Sequence, residues 1–242
     1  MSEPLLRTSN LSVAYGRVDA VHGVSLSVNQ GEFVAVIGSN GAGKSSTLKA
    51  ISGVVKPAAG EIFLDGKPIH GLPSHAMVKR GIVLVPEGRH VFADQSIEDN
   101  LLLGAYLHVG RSSNRGAELG RVYSLFPLLH ERRAQLAGSL SGGEQQMLAI
   151  ARGLLSRPKL LMIDEVSLGL APKVLEILFP LLSRLNREGL SILLVEQLAT
   201  EAMAVASKTY VMENGRVTIE GPSSELARDP RVMEAYLGKR AA

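Results

Sequence analysis

Apolar and polar positions change their period several times along this chain. Val24-Ser25-Leu26-Ser27-Val28 alternates, which predicts a half-buried strand. Glu32 to Ile37 is a near-continuous apolar run, the pattern of a strand covered on both faces. A glycine-rich turn and a helix-like pattern from Gly43 to Ser52 follow it. Pro57 to Gly60 makes a turn, and Ile62 to Leu64 before Asp65-Gly66 reads as one arm of a hairpin. Pro73 to Arg80, closed by Gly81, predicts a short helix, and Ile82 to Val85 a strand. From Ser96 to about Arg157 the period is helical, with Ser96 placed as an N-cap before Asp99. Inside that stretch, His108 to Gly116 is polar and rich in glycine and serine, which predicts an exposed loop. Leu160 to Ile163 and Ile192 to Val195 read as buried strands around a helix over Val174 to Arg187. Asn214-Gly215, between Tyr210–Met212 and Val217–Ile219, is a hairpin signal, and Ser223 to Leu237 reads as two short helices. A strand-rich start, a helical middle and a returning β/α alternation predict one α/β domain carrying an inserted helical lobe.

Composition narrows the function classes. The chain has 242 residues, 45% of them hydrophobic, enough for a substantial core and too many for wholesale disorder. Cysteine is absent, which excludes disulfides, thiolate metal sites and cysteine nucleophiles. No apolar run approaches the ~18 residues that span a bilayer, and the opening MSEPLLRTSN lacks a secretory pattern. The expected location is therefore cytoplasmic. The net charge is +3 from 26 basic and 23 acidic residues, scattered without a basic stripe or stacking aromatics, so no nucleic-acid partner is expected. The six histidines show no metal-ligand spacing, and His90 reads as a surface histidine.

Three motifs carry chemistry. Gly38, Ser39, Asn40, Gly41, Ala42, Gly43, Lys44 and Ser45 fit GxxxxGK[ST] between an apolar strand and a helix, with Ser46 continuing into that helix. Glycines let backbone N–H groups turn inward around phosphate oxygens at a helix N-terminus. Lys44 is expected to reach the β- and γ-phosphates, and the Ser45 hydroxyl to ligate Mg²⁺. Leu160 to Ile163 ends in Asp164-Glu165. An aspartate ending a buried strand can serve the metal's water shell, and Glu165 is placed to polarise a water for attack on the γ-phosphate. Leu140-Ser141-Gly142-Gly143-Glu144 then precedes a helical run from Gln146 to Leu155, so Ser141, Gly142 and Gly143 offer a second anion site at a helix N-terminus.

The third motif resembles the LSGGQ or LSGGE signature of the ATP-binding cassette (ABC) ATPases. The resemblance runs from Leu5 to Leu237. It implies a P-loop ATPase core with a mixed sheet and an antiparallel β subdomain in residues 5–95 and 158–237, and a helical subdomain bearing the signature in residues 96–157. It also implies that Tyr15 stacks on adenine and that the signature serves ATP held by a second cassette. Several positions depart from the commonest family pattern. Glu87 stands where a glutamine is usual and is placed toward the metal; Gln197 stands for the switch histidine and would contact the γ-phosphate. Leu170 replaces an aspartate, and Val166 a proline. The stretches VPEGR, SLGLAP and LLVEQ resemble one branch, the ATPase subunits of importers for branched-chain amino acids and the similar importers for urea and short amides.

The resemblance implies an ATPase using ATP and Mg²⁺, docked at the cytoplasmic face of a membrane. Its implied partners are a second cassette (a related but different chain in the cell, a second copy in isolation), integral membrane permease subunits, and indirectly a solute-binding protein. The helical lobe and the loop Glu87 to Phe92 are where the family meets those membrane subunits. Hydrophobic amino acids lead as the solute, with urea or short amides as the alternative. A non-transport cassette ATPase and a nucleotide-binding pseudo-ATPase are the readings from other classes. The first would carry a long coiled coil between loop and signature, or a second cassette; the second draws on the absent histidine and aspartate.

Overall fold

The computed structural model describes residues 3–108 and 115–237. The chain forms β1 (Leu6–Tyr15), β2 (Val18–Val24), β3 (Ser27–Val28), β4 (Phe33–Ile37), α1 (Lys44–Ile51), β5 (Ala59–Leu64) and β6 (Lys67–Pro68). It continues through α2 (Ser74–Lys79), β7 (Ile82–Val85), α3 (Ile97–Gly104), α4 (Arg115–Leu125), α5 (Pro127–Glu131) and α6 (Gly142–Leu155). The last part holds β8 (Leu160–Asp164), α7 (Pro172–Arg187), β9 (Ser191–Glu196), α8 (Ala199–Val205), β10 (Lys208–Glu213), β11 (Arg216–Pro222), α9 (Ser223–Leu226) and α10 (Pro230–Val232).

One sheet has the order β11-β10-β4-β9-β8-β7. Strands β10, β4, β9, β8 and β7 run parallel, and β11 returns antiparallel beside β10 through the Asn214-Gly215 turn. Every residue of β4, β8 and β9 is buried, because elements cover both faces of the sheet. Alternation along the strands sorts their side chains into two cores. Phe33, Ala35 and Ile37 face a core built with Leu148 of α6, Leu101 of α3 and Leu182 of α7. Val34 and Val36 face the opposite core, shared with Leu48 of α1 and with Leu11 and Val13 of β1. The remaining strands, β2-β1-β5-β6 with β3 on β1, pair antiparallel and roof that second core.

The elements form where the pattern predicts them, with some differences. The strand expected over Val24 to Val28 is interrupted. The buried Thr8 hydroxyl donates to Val24 O (3.1 Å) and accepts from Leu26 N (2.9 Å), splitting the segment into the end of β2 and the start of β3. Of the loop expected over His108 to Gly116, residues 109–114 lie outside the described residues. Arg115 and Gly116 instead open α4, with Glu118 in its first turn where a negative charge favours the helix N-terminus. Helix α8 carries no clear period in its sequence and docks by Ala199, Ala202 and Met203. Ser96 caps α3 as expected: its hydroxyl accepts from Asp99 N at 3.0 Å, and Asp99 answers with a bond from Ser96 N.

Asn100 fixes the segment that leads into α3. It is fully buried; its Oδ1 accepts from Phe92 N (2.8 Å), and its Nδ2 donates to Phe92 O (3.0 Å) and Ser96 O (2.9 Å). Replacing Asn100 by Ala leaves buried backbone groups unpaired. We expect a loss of about 2 kcal/mol of unfolding free energy, read from a lower urea midpoint at unchanged slope.

Candidate active site

The parallel strands all end at one edge of the sheet, and the chemistry collects there. Strand β4 runs into the glycine-rich loop, β7 into Pro86-Glu87, β8 into Asp164-Glu165 and β9 into Glu196-Gln197. A cleft of about 500 Å³ lies at this edge, lined by the loop from Asn40 to Ser46 together with Tyr15, Glu87, Glu165 and Leu168.

Gly43 shows why the loop has its composition. It sits at φ +96°, a backbone conformation open to glycine, and a Cβ there would lie 2.6 Å from Ala20 O. The turn it allows feeds directly into α1, so the N–H groups of the first helical turn point into the cleft. Lys44 is almost wholly buried, yet its ammonium is well supplied. Nζ donates to Gly38 O (2.8 Å) and Ser39 O (3.1 Å) and pairs with Glu165 Oε1 at 3.3 Å. Beside it, Ser45 Oγ donates to Asp164 Oδ1 at 2.8 Å. Burial pushes the Asp164 carboxyl above the usual range; the Ser45 hydroxyl opposes this, while the charges of Glu165 and Glu87 add to it.

Glu165 occupies the left-handed region at φ +48°, and its N–H is held by Val195 O at 2.9 Å. Its side chain is thereby turned out of the strand into the cleft. Tyr15, 44% exposed, offers one ring at the cleft margin. Gln197 lies on an exposed turn outside the cleft lining, its N–H bonded to Glu196 Oε2 at 3.1 Å.

The structure does not bring the signature to this cleft. Ser141, Gly142 and Gly143 open α6, where Ser141 is the N-cap and Glu144 closes a reciprocal capping box. Burial raises the Glu144 carboxyl, but the Ser141 N–H, the Ser141 hydroxyl and Arg132 outweigh that and hold it below the usual range. Glu144 therefore works within its own helix end. Two features escaped the sequence reading. Glu196 ends β9 as a wholly buried acid, and Ser167 meets it with both its N–H and its hydroxyl. The visible signal was an acid ending an apolar strand, as Asp164 does; its partner lies in a different loop. Among the described residues no group of three or more His, Asp and Glu forms a metal cage, and no helix is long and apolar enough to cross a membrane.

The cleft and the motifs match a known family. The ABC transporter family pattern matches residues 21–167. A high-affinity branched-chain amino acid transport ATP-binding protein, BraG of Pseudomonas aeruginosa, is 44% identical over 97% of this chain and 100% of its own length. The chain belongs to the ABC transporter family. It is an ATP-binding, ATP-hydrolysing cassette. A probable branched-chain amino acid transport ATP-binding protein, LivF of Archaeoglobus fulgidus, is 35% identical over 97% of the cassette and 99% of its own length. A dimeric cassette solved with ADP and phosphate superposes with a TM-score of 0.81 at 25% identity, over 90% of this chain and 98% of that one. Family cassettes thus bind nucleotide, form dimers and work with membrane subunits.

The signature turn sets a steric test. A Cβ on Gly143 would lie 2.6 Å from Val174 Cγ2 of α7, so α6 and α7 meet only because that atom is absent. Gly143→Ala should cost about 1–3 kcal/mol of stability through overpacking. Adding Val174→Ala should recover much of the loss, with denaturant unfolding of the single and double variants as the measurement.

Proposed function

We propose that this cassette energises an importer of branched-chain, hydrophobic amino acids. The carrying observation is its end-to-end 44% identity to BraG. Glu87 and Gln197, two of the positions at which the chain departs from most cassettes, support the same branch.

In this reading Tyr15 stacks on the adenine, and the N–H groups from Asn40 to Ser46 hold the phosphates. The γ-phosphate takes the Lys44 ammonium. That frees Glu165, now 3.3 Å from Lys44, to act as general base. Water attacks the γ-phosphorus, its proton passes to Glu165, and the bond to the β-phosphate oxygen breaks to leave ADP and inorganic phosphate. Gln197 offers an uncharged amide toward the γ-phosphate oxygens. The oxygen donors Ser45, Asp164 and Glu87 suit a hard divalent cation such as Mg²⁺, which supplies neutralisation of charge on the β- and γ-phosphates. Ser141, Gly142 and Gly143 lie away from the cleft of their own chain, which fits their use on ATP bound by a second cassette.

An apolar groove of about 600 Å³ runs between β7 and α2 on one side and α3 and α6 on the other, with Phe92, Leu103, Tyr106 and Val54 exposed in it. In this reading it takes the membrane subunit, and the cassette sits on the cytoplasmic face of the membrane.

Glu165→Gln should keep ATP affinity while steady-state hydrolysis falls about 10²-fold or more, as removal of a general base does. In cells carrying that allele, labelled leucine uptake should be lost and urea uptake kept; the reverse moves the proposal to urea. Leu103→Asp separates docking from chemistry: uptake should fall to background while hydrolysis by the purified cassette stays at the parent rate. Unchanged uptake would remove the groove from the docking role.

A further inference from the structure

Glu196 is the last residue of β9, and every residue of that strand is buried. An apolar side chain would fit the position by burial alone. The acid found there is 0% exposed, and among the described residues no lysine or arginine pairs with it. A buried carboxylate without a counter-ion persists only where hydrogen bonds replace its water. Here they come from two separate loops. Oε1 accepts from Ser167 N (2.9 Å), and Oε2 accepts from Ser167 Oγ (2.6 Å) and Gln197 N (3.1 Å). Leu198 adds a further backbone N–H.

Those loops carry the groups assigned above to hydrolysis. Ser167 lies two positions past Glu165, and Leu168, next to it, lines the nucleotide cleft. Gln197 follows Glu196 directly. On its other side Glu165 is tied to the same strand end, through Glu165 N to Val195 O at 2.9 Å. The left-handed turn at Glu165 is thus pinned to the end of β9 before and after it, and Glu196 makes the second pin.

We propose that Glu196 is a positioning residue for hydrolysis, clasping the Ser167 loop and the Gln197 turn so that Glu165 and Gln197 address the γ-phosphate as one rigid pair. The proposal rests on the roles given to Glu165 and Gln197. The geometry also states why glutamate is needed. Both carboxylate oxygens face backbone N–H donors. A glutamine must turn its NH₂ toward one of them, setting donor against donor, and that loop end moves. The phosphate-binding half of the cleft, around Lys44, has no bond to Glu196, so nucleotide affinity should be spared.

The test uses the full chain with Glu196→Gln, Ser167→Ala and Glu165→Gln, measuring kcat, KM for ATP, and the shift in melting temperature on adding ATP. For Glu196→Gln, kcat should fall about tenfold or more at nearly unchanged KM, because the reacting groups are misplaced while binding is intact. Its ATP-induced melting shift should match the parent. Ser167→Ala removes the hydroxyl bond and keeps the backbone N–H bonds; kcat should fall about threefold, again at unchanged KM. A parental kcat in Glu196→Gln overturns the proposal. So does a parallel loss of kcat, KM and the ATP-induced shift, which would mark a purely structural role. Should Glu196→Gln fail to fold, a parental kcat in Ser167→Ala overturns it as well. Glu165→Gln isolates the underlying reading: if that variant hydrolyses ATP normally, the assignment of Glu165 fails, whatever Glu196 does.

Discussion

The parallel pairing of β4 with β9, and of β9 with β8, is the constraint on which the rest of the structure depends. Its register sets Ile37 opposite Glu196 and Asp164 opposite Val195, so all three strands end within a residue of one another. A slip of one residue in the β8–β9 ladder would turn Asp164 to the opposite face of the sheet, away from Ser45. Register is therefore fixed by the two apolar faces. The alternating side chains of β4 are shared between two cores, and each core accepts only one parity. Burial of hydrocarbon on both faces holds the acids at the edge.

That edge gathers more negative charge than it neutralises. Glu87 and Glu165 line one cleft, with Asp164 buried behind Ser45; its buried cation is Lys44, which divides its donors between two carbonyls and Glu165. Burial is the first cause that lifts the Asp164 carboxyl, and the charges of Glu165 and Glu87 add to it. Lys44 and the N–H groups that open α1 offer positive potential to the cleft, and Glu87 and Glu165 offer oxygen donors beside them.

Much of this was legible in the sequence because it depends on local rules. Glycine spacing gave the phosphate loop, Asn214-Gly215 the hairpin, and Ser96 with Asp99 the cap of α3. What stayed hidden depends on contacts between distant segments. The break at Ser25-Leu26 follows from a hydroxyl at Thr8, on another strand. Helix α8 holds its place by Ala199, Ala202 and Met203, too short a set to leave a strong period to read. The need for glycine at position 143 comes from Val174 on α7. Glu196 was visible as an acid after an apolar run, but nothing near it in sequence says that Ser167 supplies its hydrogen bonds.

The same edge also links the cleft to the apolar groove by a short path. Glu87 lines the cleft, while His90 and Phe92, a few residues on, line the groove. Between them Arg89 and His90 both adopt left-handed backbone, at φ +67° and +47°, a costly conformation that needs external support. Arg152 of α6 supplies it, donating from Nη2 to His90 O at 2.9 Å while its guanidinium lies over the Phe92 ring. Asn100 holds the far end through both backbone groups of Phe92. The Arg89 guanidinium, for its part, lies against Gly142 of the signature turn. The groove end of this loop is therefore held twice, at His90 and at Phe92, while Gly88 at φ +83° separates it from Glu87. Rigidity at the face of the groove, beside the signature turn, is what this loop contributes.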